Sequence, residues 1–196
     1  MKKIFLSAVA ISALYSSCET ADDIYEKETK HETRTTSAYK STSDNYEHYR
    51  NIVDGFTYDQ NLNYRSNMQL FEQYVNRYIQ QNLDDALYQP IDWEKLNQLC
   101  SADESFIKQL DYSDAFKERL QAILQGKNAS IPELTNETEK QIVTTVLKMH
   151  GDYAGNGDDN TLDDKRIIAY AYGAQHSFTQ AVLYAGAIEL KSRFAN

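Results

Sequence analysis

"IIAYAYGAQHSFTQAVLYAGAI", residues 167–188, decides how this chain is read: 22 consecutive residues between Arg166 and Glu189 carry no formal charge, with histidine counted neutral. A run of that length could span a bilayer, which takes about 20 apolar residues. Its midpoint argues against this, because Gln175, His176, Ser177, Thr179 and Gln180 cluster there, where lipid penalises polar groups most. The other place for a helix that is apolar on nearly every side is the centre of a bundle, with neighbours all round. Ala169, Gly173, Ala181 and Ala185 supply small surfaces on which such neighbours can approach closely. The stretch is therefore expected to form one long, mostly buried C-terminal helix.

The composition agrees. A chain of 196 residues with 41% apolar side chains can bury one substantial core, and 7 Gly and 2 Pro leave few turn-formers for a strand-rich fold. Tyr64, Met68, Phe71, Val75 and Tyr78 recur four and three apart, which predicts one face of a helix from Leu62 to Gln81. Upstream, Tyr46, Tyr49 and Val53 fit a shorter helix capped by Ser43 or Asp44 and stopped near Gly55. Downstream, Pro90 and Asp92 open a helix bearing Trp93, Leu96, Leu99 and Cys100, and Asp103 opens a short segment bearing Phe106, Ile107 and Leu110. Ser113 caps a helix with Phe116, Leu120, Ile123 and Leu124 that closes at Gly126. Asn136 caps another with Ile142, Val143, Val146, Leu147 and Met149, and Glu139 holds the capping-box position. The predicted fold is all-α, a compact bundle of about five to seven helices across residues 44–196, with no repeat of fixed period.

The first residues follow a different grammar. Lys2 and Lys3 precede an apolar stretch from Ile4 to Leu14, and Ser16 and Ser17 stand directly before Cys18. This is the order of a secretory signal, residues 1–17, whose apolar part has about half the length a spanning helix needs. Small residues ending in cysteine resemble the lipobox of bacterial lipoproteins, and the resemblance implies that Cys18 becomes the acylated first residue of the mature chain. Glu19, Asp22 and Asp23 follow at once, which resembles the surface-export signal of lipoproteins in the Bacteroidetes lineage. The resemblance covers the leader alone and implies a lipid anchor in the outer membrane, with the domain at the cell surface. Residues 18–43 are rich in Thr, Ser, Lys and Glu with few large apolar side chains, too few to offset the entropy of ordering, and read as a flexible tether. As a coil of about 25 residues it reaches roughly 25–30 Å. With Cys18 acylated, Cys100 has no disulfide partner and is expected to pack in the core.

Acidic residues outnumber basic ones 29 to 20, a formal charge of -9, which argues against a nucleic-acid partner because phosphate backbones bind clustered Lys and Arg. The sequence has no G-x-S-x-G, H-E-x-x-H, C-x-x-C or P-loop pattern, so a hydrolase or nucleotide enzyme has no anchor. One constellation offers chemistry: "HGDYAGNGDDNTLDD", residues 150–164, where Asp152, Asn156, Asp158, Asn160 and Asp163 present oxygen ligands for calcium. Counted from Asn156, an EF-hand loop would want Gly at Thr161 and Glu at Ile167, so the set is incomplete; Asp163 also suits the start of the final helix. His176, a polar ring inside the most apolar stretch, is the candidate for ligand binding. The expected function is non-enzymatic: a lipid-anchored envelope protein that binds a protein partner, as a secretion-system accessory or a toxin-immunity protein, without cofactor beyond its lipid. The 15 tyrosines suit such a surface. The alternatives are an enzyme on envelope polymers drawing on the acidic loop with His150 and His176, and a calcium-dependent binding module.

Overall fold

The computed structural model of the chain describes residues 45–83, 87–127, 134–153 and 160–194, and the side chains of 152, 153 and 160–162 lie outside that description. The leader, Cys18 and the tether to residue 43 therefore lie outside the described residues, as do Asn156 and Asp158 and the side chains of Asp152 and Asn160.

All the regular secondary structure among the described residues is helical, with no strand. α1 (Asn45–Gly55), α2 (Tyr64–Asn82) and α3 (Trp93–Cys100) are followed by a short 3-10 helix, Glu104–Gln109. α4 (Asp114–Leu124), α5 (Glu137–Tyr153), α6 (Asn160–Ala174) and α7 (Phe178–Phe194) complete the bundle. Three helix starts are those the sequence marks: the side chains of Asp92, Asp103 and Ser113 each accept from a backbone N–H of the first turn, meeting donors that have no intrahelical acceptor. Asn63 does the same for α2, which starts at Tyr64 and not at Leu62. Gly126 ends α4 at φ 61°, a left-handed conformation that a side chain would strain.

The uncharged stretch is not one helix. Its polar midpoint is a turn, in which the carbonyl of Gly173 accepts from the N–H groups of His176 (3.0 Å) and Ser177 (3.1 Å). Ser177 Oγ then accepts from the N–H of Gln180 at 3.0 Å and caps α7. The residues that argued against lipid thus let the chain reverse, and α6 and α7 pack as an antiparallel hairpin. Gly173 makes that approach possible: a Cβ there would lie 2.5 Å from both Cα and N of Ala181. α7 is the long, buried C-terminal helix, with every residue from Ala181 to Leu190 buried. α1, α2, α3 and α6 surround it.

Around this hairpin the amphipathic helices lay down their apolar faces. Tyr49, Ile52 and Val53 of α1 and Met68, Phe71 and Val75 of α2 are buried, and Gly186 admits the Phe71 ring, whose Cζ is 2.6 Å from where a Cβ would stand. Leu96 and Leu99, Ile107 and Leu110, Phe116 and Leu120, and Ile142, Val146 and Met149 close the other sides. Each fully buried side chain of this size contributes roughly 1.5–3 kcal/mol. Cys100 departs from expectation: it is half-buried at the edge of the core, because α3 turns its Leu96–Leu99 side inward.

Two buried asparagines pin the connections. Asn67 donates to the carbonyl of Asp59 (2.9 Å) and accepts from its N–H (2.8 Å), fixing the α1–α2 loop. Asn76 donates to the carbonyl of Gln89 (2.9 Å) and accepts from its N–H (2.7 Å), holding the segment before α3.

Candidate functional site

The polar interior of the molecule is organised by the two charges that bracket the uncharged stretch. Because α6 and α7 fold back on each other, Arg166 and Glu189, 23 positions apart, meet with Nη1 donating to Oε2 at 3.0 Å. Both are almost fully buried, at 3% and 2% exposure, where an unpaired charge would be costly. Their remaining bonding capacity is taken up nearby. Tyr49 Oη donates to Glu189 Oε2 at 2.5 Å and Arg50 Nη1 to Oε1 at 3.0 Å. Arg193, one turn on in α7, also donates to Oε1. Arg166 Nη2 donates to the carbonyl of Met149 (2.8 Å) and to Asp163 Oδ1 (2.5 Å). Asp163 Oδ2 lies 3.0 Å from His150 Nδ1, while Asp54 takes Arg50 and Arg193 at the exposed edge. The network ties α1, α5, α6 and α7 together.

Its electrostatics are those of a closed clasp. Burial alone would raise the Glu189 carboxyl, but Arg166, the Tyr49 hydroxyl and Arg193 outweigh it and hold the group below its usual range, hence ionised. Burial, reinforced by the Glu189 charge, pushes the Tyr49 phenol well above its ordinary value, so it stays a donor. For Arg166 burial works downward, and Tyr49, Glu189 and Asp163 around it carry its pKa upward. With both Glu189 oxygens doubly engaged, the carboxylate is positioned to hold helices and not to take a proton from a substrate.

The candidate residues from sequence fall in different places. Asp163 is buried and committed to Arg166 and His150 through both oxygens. This engagement, which joins the end of α5 to the start of α6, is how the structure uses the one described side chain of the calcium-ligand set. Among the described residues no group of three or more His, Cys, Asp or Glu side chains is arranged to hold a metal ion. His176 lies on the exposed turn between α6 and α7 and not inside a buried helix, with its ring edge-on to Tyr172 at 5.5 Å. His150 and His176 thus stand at opposite ends of α6. Glu139 is another correction: its carboxylate reaches across to the cap of α4, accepting from the N–H of Ser113 (2.8 Å) and from its hydroxyl (2.7 Å). One acidic side chain at the start of α5 thereby secures the start of α4 as well.

Tyr49, Arg166 and Glu189 are the residues that sequence reading passed over. Tyr49 shows the period of a core residue, and the two charges served only as boundaries of the apolar stretch. The signal that could have found them is the polar midpoint: read as a turn, it superimposes positions 166 and 189. No described helix is long and apolar enough to cross a membrane. No protein-family model, no curated protein and no solved structure matches this chain.

Proposed function

We propose that the chain is a non-enzymatic, lipid-anchored protein of the outer membrane whose helical domain binds a protein partner, in the manner of a secretion-system accessory or a toxin-immunity protein. The observation that carries this reading is the order at the start of the chain: Lys2 and Lys3, an apolar stretch, Ser16 and Ser17, then Cys18 with Glu19, Asp22 and Asp23 after it. A thioether-linked lipid on Cys18 and a tether to residue 43 would hold the domain off the membrane within roughly 30 Å.

Two measurements test the reading. Cys18→Ser in the native host should move the protein from the membrane to the soluble fraction; protein that stays in the membrane fraction would remove the anchor. A tagged chain cross-linked in its own envelope should return one stoichiometric protein, and the absence of any enriched protein would remove the binding role.

A further inference from the structure

We draw no further inference here: the strongest candidate, the exposed apolar pair Leu87 and Tyr88 on the segment that Glu72 and Asn76 of α2 hold ahead of α3, carries nothing, because nothing in the structure shows what covers it.

Discussion

Replacing Glu189 by Gln removes the one negative charge that four donors share. Tyr49, Arg50, Arg166 and Arg193 all point at this carboxylate, and a glutamine offers one acceptor oxygen and sets an N–H₂ against the arginines. Breaking a buried ion pair by removing one partner costs about 3–5 kcal/mol. The low end applies here, because Arg166 keeps Asp163 and the Met149 carbonyl, and Arg50 and Arg193 keep Asp54 at the exposed edge. About 3 kcal/mol in a domain of this size lowers the melting temperature by roughly 6–12 °C. Thermal unfolding followed by circular dichroism measures this directly. A double variant, Arg166→Met with Glu189→Leu, exchanges the central pair for apolar volume and should fall short of the sum of its single changes by about 1 kcal/mol or more. A shift below about 2 °C for Glu189→Gln, or strict additivity in the double variant, would refute the view that this cluster holds the bundle closed.

The same residue governs an acid response: its folded-state pKa is depressed, so its contribution is complete above the unfolded value of about 4.3 and is lost as pH falls through the lower folded value. The gap in melting temperature between wild type and Glu189→Gln should stay wide at pH 7 and narrow only below about pH 4; a gap already closed at pH 5 would contradict the sign. Gly173→Ala drives a methyl group into the Ala181 backbone and should cost about 1–3 kcal/mol as an overpacked contact. Gly186→Ala meets the Phe71 ring instead and should cost less, which denaturant midpoints will rank. Ser113→Ala removes a helix cap and one of the hydrogen bonds that Glu139 accepts, for about 1–2 kcal/mol by the same assay.

Much of the fold is legible from local chemistry. Caps at Asp92, Asp103 and Ser113 and the left-handed stop at Gly126 sit where their side chains, or lack of one, demand. The apolar period of Tyr64 to Tyr78 marks α2 because each buried position repeats once per turn. What local chemistry hides is anything that depends on two distant segments meeting. The reversal at Gln175–Ser177 is written in polar residues, yet in one dimension polar residues within an apolar run look like interruptions of a single helix. The pairing of Arg166 with Glu189, the placing of His176 on the outside and the reach of Glu139 to Ser113 are legible only after the helices are set side by side. Asp163 illustrates the limit for chemistry: an acidic loop suggests a cation, and the buried partner turns out to be arginine.

The clasp joins residues far apart in the chain, Tyr49 to Glu189 across 140 positions and Arg193 to Asp54 across 139. The first described helix is thus fastened by the last, and closing so long a loop must precede the reward of the contact. A nascent chain lacking the last two turns of α7 has α1 without these partners, so the clasp cannot close until α7 is in place. A truncation removing Glu189 and Arg193 therefore loosens α1, the helix most distant from them in the described sequence.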